Sequence, residues 1–202
     1  MLGDITSLSF YINIIPIIGG PGCGKGTQCS KLSKEKNLLH LSTGELLRNI
    51  SKDNTSNLSI EITSKMNKGE LISSELMMKV INERLKQIKK ESVVLLDGFP
   101  RNKENLIIWR KEKLYNVKIP MIWYFNCPDE LMIKRIVERN NEGRNDSDKE
   151  IVIKRIKVFR EETQPIIEEL RNEKGFHEID LTKSIDEVDK VLTDLLKENC
   201  LL

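Results

Sequence analysis

The stretch Gly19-Gly20-Pro21-Gly22-Cys23-Gly24-Lys25-Gly26-Thr27 constrains this chain more than any other. Glycine at alternate places weakens any regular element, by roughly 0.5–1 kcal/mol per residue in a helix or strand, so the run reads as a loop. An apolar segment over residues 12–18 precedes it and a helix-like segment over 27–36 follows. Between strand and helix, such glycines let backbone N–H groups turn inward around phosphate oxygens, and the helix adds its positive end. Gly22, Cys23, Gly24 and Gly26 then form the cradle, Lys25 reaches the β- and γ-phosphates of a nucleoside triphosphate, and Thr27 lies near magnesium. The general loop pattern places Ser or Thr directly after the lysine, whereas here Gly26 intervenes. A plain glycine-rich turn is the alternative, and the strand–loop–helix setting argues against it.

Short apolar runs at 12–18, 38–41, 93–96, 121–125 and 176–179 alternate with helix-like segments at 27–36, 45–51, 60–68, 74–89, 103–113, 129–140, 150–170 and 185–197. The last opens with Ser184 followed by Glu187, a capping box. Uninterrupted apolar strands suit a parallel sheet covered by helices on both faces, hence an α/β fold. The 202 residues fit one domain spanning 1–202. Residues 140–148 include none that is apolar and form the most mobile candidate segment. Pro16 lies inside the first strand, where a missing N–H predicts a local irregularity.

Lys and Arg total 33 against 31 Asp and Glu, mixed along the chain, for a net charge of +2. That balance excludes a general nucleic-acid binder, which needs a basic stripe. No run reaches the roughly 20 apolar residues of a membrane span. Residues 8–18 imitate a signal core but lack a preceding Lys or Arg and run into the glycine loop, so a cytoplasmic chain is expected. Cys23, Cys29, Cys127 and Cys200 form no C-x-x-C pair or zinc spacing, which predicts reduced thiols and no zinc. Cys23, inside the loop, is expected to be accessible.

A second chemical element is Val93-Val94-Leu95-Leu96-Asp97-Gly98-Phe99-Pro100-Arg101. In a parallel sheet it delivers Asp97 to a strand's carboxyl end beside the glycine loop, where a carboxylate holds Mg2+ through water.

With Leu41-Ser42-Thr43-Gly44-Glu45-Leu46-Leu47-Arg48, Gly143-Arg144-Asn145-Asp146 and Lys154-Arg155, these motifs follow an unbroken order from about Tyr11 to the C-terminus. The chain resembles a nucleoside monophosphate kinase of the adenylate kinase and UMP-CMP kinase superfamily. The resemblance implies a P-loop nucleoside triphosphate hydrolase-type sheet with a mobile monophosphate-binding segment, residues 42–72, and a short lid, residues 139–148. It implies Mg2+-dependent, reversible transfer from ATP to a nucleoside monophosphate by a monomer working in nucleotide biosynthesis. Arg48 and Arg101 would grip the acceptor phosphate, and Glu70, Leu71 and Ile72 would line its ribose and base. The resemblance also puts Gly98 and Thr43 in the same acceptor pocket. Arg139, Arg144 and Arg155 would close on the transferring group with Asp146, Arg144 and Arg155 also reaching the acceptor side. Lys183 would touch the donor adenine. The family's lid often carries two adjacent aspartates, but here Ser147 follows Asp146.

Chemistry agrees with so many guanidiniums. The acceptor phosphate has a second pKa of about 6 and is already mostly dianionic near neutrality, so alignment and charge neutralisation are what it needs. Guanidinium forks match phosphoryl oxygens better than ammonium groups do.

The acceptor base is contested by two positions. Asn105 matches the place that reads the base, where UMP-CMP kinases carry Asn and adenylate kinases Gln; reorienting its amide would serve uracil or cytosine. Thr43 resembles adenylate kinases. The longer stretch from Asn102 to Trp109 favours UMP and CMP, with AMP as the alternative. A P-loop switch or ATPase would carry Ser or Thr directly after Lys25 and needs no second phosphate pocket. A catalytically silent nucleotide binder would not need Lys25, Asp97 and the arginines together.

Overall fold

The computed structural model describes residues 11–52, 56–89, 92–111, 117–139 and 149–202. Its centre is a parallel sheet of β1 (Ile12–Gly19), β2 (Leu39–Ser42), β3 (Val93–Asp97), β4 (Val117–Lys118), β5 (Ile122–Asn126) and β6 (Phe176–Asp180). The strand order is β2-β3-β1-β5-β6, with β4 beside the start of β1. The helices are α1 (Lys25–Lys36), α2 (Thr43–Ser51), α3 (Asn57–Asn67), α4 (Ser74–Leu85), α5 (Lys103–Lys111), α6 (Asp129–Arg139), α7 (Lys149–Val158), α8 (Gln164–Leu170) and α9 (Ile185–Glu198). Ile14, Ile15, Ile17 and Ile18 of β1 and Val94, Leu95 and Leu96 of β3 are all buried. Consecutive buried residues mean that both faces of these strands are covered, as their apolar runs require.

The register lines up the carboxyl ends: Asp97 pairs with Ile17 on one side and Ser42 on the other, while Gly19 pairs with Phe125. From β1 the chain moves outward to β2; from β3 it crosses to β5 on the far side of β1. β1 and β3 therefore flank the point where the winding reverses, and the crevice beyond their carboxyl ends is where such sheets take ligands. The glycine loop and Asp97 both open into it.

β1 runs unbroken through Pro16, contrary to the expected irregularity. The Asn13 N–H donates to the Ser92 carbonyl and the Ile17 carbonyl accepts from Gly98 N–H, so odd-numbered residues face β3. Pro16 therefore turns its lost donor to the opposite flank. There β4 pairs with residues 12 and 13 and β5 with 17 to 19, so the proline falls in the gap between them.

The single helix expected over 150–170 is interrupted. A π-helical turn, Phe159–Thr163, separates α7 from α8. Pro165 lies in the first turn of α8; inside an unbroken α-helix it would lack a donor and clash with the carbonyl four residues back. The widened turn absorbs it and sends both Phe159 and Thr163 into the interior. The Ser184–Glu187 capping box forms as its sequence predicts.

Candidate active site

One cleft of about 1060 Å³ lies over the carboxyl ends of β1 and β3, at or above the size usual for a single small ligand. Gly22, Gly24, Lys25, Gly26, Thr27 and Lys183 line one end, and Arg48, Glu70, Leu71, Ile72, Arg101, Asn105 and Arg155 the other. Asp97 and Gly98 sit between.

The glycine loop is shaped by its neighbour α6. Gly22 has φ 77, and a Cβ there would come within 2.6 Å of the Met132 carbonyl oxygen. Only glycine fits both the backbone angle and the space. Lys25 bends over the loop and donates to the carbonyls of Gly19 (2.7 Å) and Gly20 (2.8 Å). An arriving phosphate competes with two neutral acceptors for this ammonium, and charge-assisted bonds to phosphate are the stronger kind.

Cys23 does not match its expected accessibility. Its side chain is fully buried, and its Sγ lies 3.5 Å from the Lys25 ammonium. The loop turns its glycine edge outward and tucks the thiol under. Cys29 is buried as well, and burial together with the nearby Asp97 carboxylate pushes its thiol well up, keeping it protonated.

Asp97 is buried at the end of β3. Burial alone would raise its pKa, yet the His40 hydrogen bond (3.2 Å) and the positive charges of Lys25 and Arg101 hold the carboxyl below its ordinary range. It stays an anion in a largely dry place, facing the same cleft as the exposed Thr27. That donor set, a held carboxylate and a hydroxyl, fits a hard divalent cation. Cys29, His40 and Asp97 also bring their ligand-type atoms within 4.8 Å of one another.

At the other end, the Arg101 guanidinium is held by two neighbours. Its Nε donates to the Gly98 carbonyl (2.8 Å) and its Nη2 to Thr43 Oγ1 (3.2 Å). Burial, with the like charges of Arg155 and Arg48, lowers its pKa against the pull of Asp97. Three guanidiniums that repel one another converge on one wall, a field that an incoming dianion relieves. Thr43, expected in the acceptor pocket, is instead fully buried. Its hydroxyl is turned to the carbonyls of Asp97 (3.0 Å) and Gly98 (3.2 Å) as well as to Arg101, so it shapes the pocket from behind.

The lid residues divide differently. Arg139 closes α6; its side chain, and Arg144 and Asp146 entirely, lie outside the described residues. Two functional neighbours escaped the sequence reading. Arg135 donates from Nη1 to the Cys23 carbonyl and from Nη2 to the Leu181 carbonyl, both at 2.9 Å, tying the glycine loop to the loop that carries Lys183. Its four-residue spacing from Arg139 on one helix was the available signal. His40, the brace of Asp97, offered none, because its role depends on strand register.

The adenylate kinase family model matches residues 17–175. A UMP-CMP kinase of Danio rerio is 34% identical over 191 residues, covering 92% of this chain and 97% of that protein. The UMP-CMP kinase of Homo sapiens gives the same identity and coverage. UMP-CMP kinase 1 of Oryza sativa subsp. japonica is 36% identical over 177 residues, 88% of this chain and 71% of that protein.

Proposed function

The chain belongs to the adenylate kinase family, a nucleoside monophosphate kinase and so a phosphotransferase, and on that premise we propose that it moves the terminal phosphoryl group of ATP reversibly onto UMP or CMP. The observation that carries this reading is the two-ended cleft: an ammonium and glycine loop at one end, Arg48, Arg101 and Arg155 at the other, with Asp97 between.

In the proposed mechanism the glycine loop and Lys25 hold the β- and γ-phosphates of the donor, and Lys183 meets its base. Arg48 and Arg101 grip the acceptor phosphate, which needs no general base because it is already ionised. Arg155, with Arg139 and Arg144 of the lid, would neutralise charge on the transferring group, and Asp146 lies on the same lid segment. Asp97, through water, and Thr27 would hold Mg2+, which when bound offsets charge on the donor's phosphate oxygens. Closure of the segment 42–72 and the lid 139–148 would exclude water, so that the phosphoryl group meets the acceptor and not solvent.

Pyrimidine preference rests on Asn105, which faces the cleft and is nearly fully buried. The case for AMP rested on Thr43, whose hydroxyl is occupied by backbone carbonyls and Arg101. A cytosolic monomer fits both the ligand class and the near-neutral charge, and among the described residues no helix is long and apolar enough to cross a membrane. Coupled ADP release with AMP, CMP, UMP and GMP at fixed ATP and Mg2+ tests the assignment. CMP or UMP should give the highest kcat/KM; AMP ahead of both would reject it, and ADP release without any acceptor would point to a hydrolase.

A further inference from the structure

Behind the acceptor end of the cleft, Asn105 is built into a chain of hydrogen bonds that fixes which way its amide points. Its Oδ1 accepts from the Arg101 backbone N–H (3.1 Å). Its Nδ2 donates to Ser74 Oγ (2.6 Å), and Ser74 Oγ donates onward to Glu104 Oε2 (2.6 Å). Ser74 is completely buried at the start of α4 and Asn105 is 4% exposed.

The direction of this chain follows from what each group can do. An ionised carboxylate only accepts, so Glu104 draws the Ser74 proton and leaves that hydroxyl only lone pairs to offer Asn105. The Arg101 N–H only donates. A reversed amide would set its NH2 group against the Arg101 N–H and its oxygen against the lone pairs of Ser74, both mismatched in a buried place. One amide orientation is therefore held at two points. A carboxamide has two donors and two lone pairs, and one of each remains for the cleft, in a fixed order.

Cytosine presents an acceptor, N3, beside a donor, the 4-amino group. Uracil presents a donor, N3–H, beside an acceptor, O4. On this edge the two bases are opposite in order, so an amide that cannot turn suits one and opposes the other. We propose that Ser74, directed by Glu104, is a specificity-setting positioning residue that locks Asn105 and makes the enzyme discriminate between CMP and UMP. This rests on the pyrimidine reading above and departs from the expectation that Asn105 reorients to serve both bases. Ser74 itself does not line the cleft and acts through Asn105.

The test compares kcat/KM for CMP and UMP, with AMP as a control, in the wild type, Ser74→Ala and Glu104→Gln. A mismatched buried donor pair costs roughly 5- to 150-fold in kcat/KM. The wild type should therefore prefer one pyrimidine by about fivefold or more. Ser74→Ala removes the partner of Nδ2, and Glu104→Gln offers Ser74 a donor and frees its proton to turn towards Asn105. Both should bring the ratio at least about threefold nearer unity, with KM for ATP unchanged, which a loss of packing alone would not do. Glu104 is exposed, so its variant keeps the test open if Ser74→Ala fails to fold. A wild-type ratio below fivefold, or a ratio that moves in neither variant, overturns the lock while leaving the pyrimidine assignment in place. AMP ahead of both pyrimidines overturns the assignment, and the lock with it.

Discussion

At the scale of single residues, the site is governed by charges held where water is scarce. Lys25 is the only side chain of the glycine loop that reaches across to two of its carbonyls, so Lys25→Met should leave the fold intact and lower kcat by about 10²- to 10³-fold, as loss of one preorganised donor does. Turnover within tenfold of wild type, at unchanged circular dichroism, would contradict the donor assignment. Asp97 gives a pH prediction. Its pKa is lowered in the folded state, so its contribution to stability is present above the unfolded carboxylate value, about 3.9, and lost as pH falls through the lower folded value. His40→Ala removes the hydrogen bond that opposes burial. The gap in Tm between wild type and variant should then widen as pH rises from about 3 to 6; a constant gap would show that His40 only fills space. The glycine loop and Asp97 were legible in the sequence because their chemistry is local. Burial of Cys23 and Thr43 was not, since both depend on what packs behind them: the loop's own turn in one case, the Asp97 and Gly98 carbonyls in the other.

At the scale of elements, the π-helical turn links packing to the acceptor end. It brings Thr163 inward to donate from Oγ1 to the Arg101 carbonyl at 2.6 Å, the same residue whose N–H holds Asn105. Thr163→Val keeps the shape and orphans that carbonyl, which should cost about 1–3 kcal/mol in urea unfolding. The acceptor KM should rise severalfold while KM for ATP stays constant; an equal rise in both would mean the turn serves the whole sheet and not one pocket. β1, β3 and β5 were visible as apolar runs because both faces are buried. β4 was not, because two residues make no periodic pattern. Nor was the π turn, since apolar spacing continues through it and only Pro165 marks the break.

At the scale of the whole molecule, the cleft is large enough, and charged at both ends, for two phosphate chains meeting head to head. A bisubstrate mimic in which adenosine and uridine are joined by five phosphates should bind once per chain and raise Tm above the effect of ATP or UMP alone. At a hundred times its Kd the stabilisation is about 2.7 kcal/mol. Calorimetry that finds room for one mononucleotide only, with the mimic no better than ATP, would reject the two-ended site. The relative height of the two ends is set by β1 against β3, where Pro16 stands opposite Leu96. Sliding β1 by one place would swing the proline's ring into the ladder it now avoids and break a bond at the middle of the sheet. The imino acid thus works as an index pin: misaligned assemblies are penalised as the chain folds, and the surviving alignment is the one that leaves loop and carboxylate abreast.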